Sequence, residues 1–384
     1  MTDSSSDSID VNMPGPDYSA GADFHSPSAA KRRSLLKGLG LAGVALSAVA
    51  LRPSDGRAQF SGIDQQPSRG DVAILRLLAA AELIEADLWQ QYAELGGVTT
   101  GTQTPYQIAL QNLDPDGSQY ITSNTLDEQS HAAFLNAYLK SIGVDPVNLD
   151  QFRVLEGSRA TGAAQIGRLT NLMQLKVDTS WYTRYRSTTS PDFGATFPQA
   201  IPALSAGSFT AIPKTNADFN SVAHIQAIAN TAAFHFGSIE QGGSSLYATL
   251  SQRVTSAEVL EITLGIGGDE ICHFLEWVDF AGNGVQSPIA PLTDPTTGLT
   301  FPNFDATPNP LLQTNLIFPV PTEFINPQLP LCAVIRPISM RHFSASAAIN
   351  GLISSGLFIG QASAFLEHIL TLAAEADQAQ RGIL

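Results

Sequence analysis

Cysteine is nearly absent from this chain: Cys272 and Cys332 are its only two among 384 residues. No four-thiolate iron or zinc centre can therefore be self-contained, and neither cysteine lies in a CxxCH, which excludes covalent c-type haem. Positive charge is also scarce, with Lys+Arg 20 against Asp+Glu 35, a net charge of −15 and a pI near 4.7. That balance leaves no basic footprint for gripping nucleic acid or an anionic membrane, so no nucleic-acid partner is expected. Charged residues make up only 14%, whereas 43% are hydrophobic, enough to bury a core and too much for wholesale disorder.

A long apolar span is missing too. The run 38–51 has 14 residues, against the ~20 needed to cross a bilayer. It follows a Ser, Asp, Gly and Pro-rich stretch, 1–30, with no hydrophobic period, which reads as disordered. The intervening Lys31-Arg32-Arg33-Ser34-Leu35-Leu36-Lys37 resembles a twin-arginine export signal, and Gly56-Arg57-Ala58 offers small residues for cleavage before Gln59. An uncleaved membrane anchor is the alternative. Residues 1–58 are thus read as leader, the export machinery as a partner, and the destination as the periplasm or extracellular space. The resemblance implies transport of an already folded chain, which suits a cofactor loaded before export. Removing the leader takes away six basic and six acidic residues, so the charge stays at −15.

The remainder reads as all-α. Residues 71–95 carry apolar side chains at i, i+3, i+4 without Pro or Gly, and Gly96-Gly97 stops the helix. A second helix follows a turn-rich stretch, capped by Ser123 or Asn124 and running to Gly143. Residues 160–186 are expected to be helical within a long link. Asn220 or Ser221 opens a third helix to about Leu250; Thr255 or Ser256 caps a fourth that ends at Gly282. Residues 283–340 hold eleven of the 23 prolines and read as a wrapping excursion with β-prone pieces at 316–318 and 332–335. A last helix is expected from about Ser344 to Gln380. The domains are therefore a four-helix unit over 69–282, a proline-rich extension over 283–343 and a C-terminal helix over 344–380.

The chemistry lies in a twofold echo. Asp127-Glu128-Gln-Ser-His131 and Asp269-Glu270-Ile-Cys-His273 share DExxH, and Glu82 with Trp89, like Glu240 with Tyr247, pairs a carboxylate with an aromatic seven residues on. Side chains at i and i+3 share a helix face, so carboxylates and imidazoles interrupt four otherwise apolar stripes. Burying an ionised carboxylate costs several kcal/mol, against a net stability of ~5–15 kcal/mol for a whole domain. No Lys or Arg lies on those stripes, which leaves protonation or metal. Two divalent cations balance four carboxylates and neutral imidazoles, and the oxygen and nitrogen donors suit Fe, or alternatively Mn.

One Glu from each of two helices plus an ExxH from each of two others is the ferritin-like di-metal arrangement. More narrowly, the chain resembles the exported bacterial ferritin-like domain family. The phrase Glu82-Leu-Ile-Glu85-Ala-Asp87-Leu-Trp89 is similar to its LExLEAxFY, and Glu240-Gln-Gly-Gly243-Ser-Ser-Leu-Tyr247 to its ExxGxxxY. The resemblance covers roughly residues 70–280. Trp89 replaces the usual tyrosine, the segment 144–220 is longer than the family's link, and the tail after 282 is unmatched. It implies a ferritin-like four-helix bundle with a long crossover, and as metal ligands Glu82, Glu128, His131, Glu240, Glu270 and His273. Glu85 is the alternative to Glu82, with Tyr92 seven residues on.

Asp127, Asp269 and Tyr247 are candidates for the shell behind the ligands, with plain helix-surface charge the competing reading for the two aspartates. Gly243, one turn from Glu240, is read either as space for dioxygen or peroxide or as close helix packing. His224, His235, His342 and His368 are read as structural, with Glu367-His368 a secondary surface candidate. Cys272 and Cys332 are a candidate disulfide after export. The expected function is an exported oxidoreductase or ferroxidase-like protein taking O2 or H2O2; the alternative is a metal-poor structural, stress or interaction module of the envelope. A homo-oligomer is compatible with either.

Overall fold

The computed structural model describes residues 66–98, 104–185, 197–305, 319–320, 326–334 and 344–380. The export-signal reading, the strand piece 316–318 and His342 lie outside them. The described chain is mostly helical, and no helix among these residues is long and apolar enough to cross a membrane.

Helix α1 spans Arg69–Gly96. Ser68 caps it through a reciprocal pair with Asp71, and Asp71 also accepts from the Thr255 and Ser256 backbone amides, tying the start of α1 to the start of a later helix. The backbone turns extended at Gly97, a position that suits glycine because a Cβ there would sit 2.6 Å from the Ala93 carbonyl oxygen. A short helix that the sequence reading passed over as turns, α2 (Pro105–Leu113), comes next. Its signature is local: Pro105 at the first position, with Thr104 and Gln107 forming a capping box.

Helix α3 spans Gly117–Ser141 and begins before the expected caps. Asp116 stands at its N-terminus, so Ser123 and Asn124 fall inside the helix: the Ser123 hydroxyl donates to the Gln119 carbonyl, and Asn124 points inward.

The long link is a second correction. Residues 160–186 do not form the expected helix; within the described part only α4 (Ser180–Tyr185) is helical. The backbone instead makes isolated antiparallel bridges, Leu155 with Arg168 and Leu175 with Phe209. The reason is a competing acceptor: the Leu169 and Thr170 amides donate to the buried Asp87 carboxylate at 3.0 and 2.9 Å rather than to carbonyls four residues back. The small helix α5 (Pro202–Ala206) follows.

Helices α6 (Val222–Ser251) and α7 (Ala257–Asn283) match expectation closely, with Ser221 and Ser256 as side-chain caps. Contacts pair α1 with α3 and α6 with α7. The pairs are joined through aromatic rings: Trp89 stacks on Trp277 at 5.3 Å, with Phe236 4.9 Å from the first and 4.5 Å from the second. All three are buried, and each such side chain contributes about 1.5–3 kcal/mol by leaving water.

Beyond α7 the described residues include two two-stranded ladders, β1 (Leu292–Thr293) with β2 (Thr300–Phe301) and β3 (Pro319–Val320) with β4 (Cys332–Ala333). The single C-terminal helix expected from the sequence is two, α8 (Ala345–Ser354) and α9 (Ser363–Asp377). Between them Gly356 and Gly360 adopt φ of 89° and 91°, a left-handed backbone that ends the helical run. The link occupies this break, with Lys176 and Asn171 amides donating to the Ser355 and Leu357 carbonyls.

Candidate metal centre

The four long helices bring all six expected side chains to one buried place. Glu82, Glu128, His131 and Glu270 form one group able to hold a cation, and Glu128, Glu240 and His273 form another. Glu128 belongs to both. Its Oε2 lies 3.3 Å from His131 Nδ1 and its Oε1 lies 3.1 Å from His273 Nδ1. Around the first imidazole stand Glu82 Oε2 at 3.4 Å and Glu270 Oε1 at 3.9 Å; around the second, Glu240 Oε2 at 3.4 Å. Glu85, the alternative on α1, is in neither group.

The far nitrogens are held crosswise. His131 on α3 has Asp269 of α7 3.2 Å from its Nε2, while His273 on α7 has Asp127 of α3 3.4 Å from its Nε2. Each DExxH thus supplies an aspartate to the other motif's histidine, which orients Nδ1 toward the glutamates. Tyr247 donates its hydroxyl to Glu82 Oε1. All three residues expected behind the ligands therefore touch them.

One participant was not anticipated. Asn124 Nδ2 lies 2.8 Å from Glu128 Oε1, 3.3 Å from Glu240 Oε1 and 3.3 Å from His273 Nδ1. The Trp277 indole N–H can only donate, and it reaches Asn124 Oδ1 at 2.8 Å, so the amide is locked with its NH2 toward the acids. The signal was in the spacing, since Asn124 is four residues before Glu128 and Trp277 four after His273.

Burial sets the electrostatics. It pushes Glu82 up to about 8 against the pull of His131, and drives Glu85 and Glu270 well above the carboxylate range, reinforced by the negative Glu128. Glu240 is raised for the same reason. Burial also opposes ionisation of Glu128, but hydrogen bonds from His131 and His273 reverse it and hold the group at about 2. Burial pulls the imidazoles down; the hydrogen bonds they donate to Glu128 outweigh it, aided by Glu82 at His131 and Glu240 at His273, and lift them to about 10 and 12. Glu276, also on α7, is raised to about 7 by burial.

Hydrogen bonding in the cluster is incomplete. Glu82 Oε2, Glu240 Oε2 and both Glu270 oxygens are buried without a hydrogen-bond donor. Among the described residues no lysine or arginine pairs with any of these glutamates. Buried acceptors without donors are rare and costly. Here they converge with imidazole Nδ1 atoms, a donor set that fits a cation of oxygen and nitrogen preference. The buried carboxylate and histidine clusters can hold metal.

No family model, no curated protein and no solved structure matches the chain. The site therefore rests on its own geometry.

The remaining candidates fall outside it. At Gly243 a Cβ would lie 2.0 Å from Glu270 Oε2, so the space beside this glycine holds a carboxylate and not a small oxidant. Buried His235 has its Nδ1 2.7 Å from the Tyr92 hydroxyl, and burial pulls it down to about 3. His224 sits between Asp294 at 2.8 Å and Asp218 at 3.3 Å. The His368 ring lies 5.9 Å from that of Phe152, and no metal-binding group among the described residues includes Glu367-His368. Cys272 and Cys332 are both free and exposed, so the candidate disulfide is not formed.

Proposed function

We propose that the protein is an exported ferritin-like di-metal carboxylate protein, a four-helix bundle of α1, α3, α6 and α7 with the link and C-terminal helices added. Glu82, Glu128, His131 and Glu270 would hold one cation, Glu128, Glu240 and His273 the other, with Glu128 between them. The observation that supports this most is the set of buried carboxylate oxygens left without donors around two histidine Nδ1 atoms. Iron, or manganese in its place, would supply redox chemistry toward O2 or peroxide. The chain's own residues keep the ligands oriented: Asp127 and Asp269 hold the imidazoles, Asn124 and Tyr247 hold the glutamates, and the Trp89, Phe236 and Trp277 rings shield the adjoining core.

A second reading has its own observation. Both imidazoles are basic enough to stay protonated beside the glutamates and so offset part of the charge without metal, as in a metal-poor envelope or interaction module. Elemental analysis of the purified protein separates the two. About two Fe or Mn per chain, lost in Glu128→Ala, supports the oxidoreductase reading, and an anaerobic Fe(II) titration followed optically on admitting air tests the oxidant. A folded, metal-free protein that takes up no Fe(II) or Mn(II) leaves the module reading.

A further inference from the structure

A cavity of about 470 Å³ opens beside the acid and histidine cluster, walled by α1, α6, α8 and the link. Its lining is mainly apolar, with Ile84 and Leu88 from α1, Ile239 and Leu246 from α6, and Leu352 from α8. Volumes of roughly 300–1,000 Å³ with an apolar lining and a few placed polar groups are what drug-sized ligands occupy.

The polar groups define the occupant further. Asp178 is already engaged, accepting from Gln199 Nε2 at 2.7 Å and from the Ser180 amide at 2.9 Å, and Lys176 is exposed to solvent. Neither demands an ionic partner inside. One lining atom is different: Glu85 Oε2 is shielded from solvent and has no hydrogen-bond partner. That atom leaves a hydrogen bond open to an occupant within otherwise mainly apolar walls.

Of two neighbouring glycines that line the cavity, one backs onto the cluster. A Cβ at Gly243 would strike Glu270 Oε2, whereas a Cβ at Gly242 meets no atom within 4 Å. Both residues line the cavity, so Gly243 is wall shared with the cluster and Gly242 faces open space.

We propose that this cavity binds one uncharged, mostly apolar organic molecule of drug size, seated against the wall that Glu85 and Gly243 share with the carboxylate cluster. Its binding does not require the metal; only its role as the molecule acted on by the centre rests on the function proposed above.

The test is a fluorescence titration of the full chain, metal-free and metal-loaded, with the uncharged fluorophore N-phenyl-1-naphthylamine. Saturable binding of one probe per chain is expected in both forms. Gly242→Phe grows a ring into the open space while replacing a helix glycine, and should weaken the probe at least tenfold. Gly351→Phe, from α8, where a Cβ also meets nothing within 4 Å, should do the same. Leu264→Ser, at an exposed leucine of α7 outside the cavity, should leave affinity unchanged. Absence of saturable binding to the wild-type chain overturns the proposal, as does wild-type affinity in both phenylalanine variants with native circular dichroism. Two metals per chain without probe binding would sink the cavity alone; probe binding by a chain that takes up no metal would sink the oxidoreductase reading alone.

Discussion

Glu82 and Asp87 lie within two turns of each other on α1 and are both buried, yet the protein treats them in opposite ways. Asp87 is fully served: Arg153 Nη1 reaches its Oδ1 at 2.6 Å, and the Leu169 and Thr170 amides and the Thr170 hydroxyl reach its Oδ2 at 2.7 to 3.0 Å. Glu82 receives the Tyr247 hydroxyl on one oxygen, while its Oε2 has no hydrogen-bond donor and faces His131 at 3.4 Å. The difference separates a carboxylate that organises the chain from one whose second oxygen is left without a donor. At Asp87 the polypeptide supplies the partners itself; at Glu82 it supplies further acids and imidazoles, a grouping that could hold a metal ion.

The sharpest way to break the comparison is to remove each side. Asp87→Ala takes the acceptor from the Leu169 and Thr170 amides, at about 1–3 kcal/mol each, while Arg153 keeps Asp150, and the loss should be read in denaturant unfolding with metal content unchanged. Glu270→Gln removes a carboxylate that has no donor, so the metal-free protein should melt no lower than wild type. That variant should lose the stabilisation that metal gives, about 2.7 kcal/mol at a free metal concentration 100 times Kd. A chelator would then lower the melting temperature of the wild type only.

A smaller effect comes from pH. Glu82 keeps its proton to about pH 8 and His131 to about 10, so metal uptake near neutrality must expel protons. Affinity should therefore rise with pH between about 6 and 8, and calorimetry in buffers of different ionisation enthalpy should detect the protons released. Smallest is Asp269→Asn. The aspartate is 43% exposed, so the loss of its hold on His131 should weaken metal binding by about tenfold, the low end for such supporting groups, without changing the stoichiometry.

Much of the site was legible because helix periodicity is local. The two DExxH spacings, Glu82 and Glu240 could be read as facing a core from the stripes around them, and each stands at the cluster. Spacing alone left Glu82 and Glu85 level, since the two differ by one turn and both have an aromatic seven residues on; the family phrase favoured Glu82, and it is Glu82 that stands in the group with Glu128, His131 and Glu270. Asn124 was read as a cap because Asn suits helix starts, but α3 begins at Gly117 and converts that residue into an inward amide. Residues 160–186 have a helical composition that is overridden by a carboxylate distant in sequence. The C-terminal break depends on Gly356 and Gly360, whose left-handed backbone is matched by carbonyls paired to the link.

Periodicity, capping chemistry and charge balance were enough to determine that this chain makes long amphipathic helices and that acids and imidazoles interrupt their apolar faces. Each of those signals acts over a few residues. Only the tertiary structure decided that Glu128 splits its oxygens between two histidines, that each aspartate serves the opposite motif, and that an apolar cavity adjoins the cluster. Those facts depend on how separate helices pack, and the short-range pattern of any one helix does not specify which side chain of another it will meet.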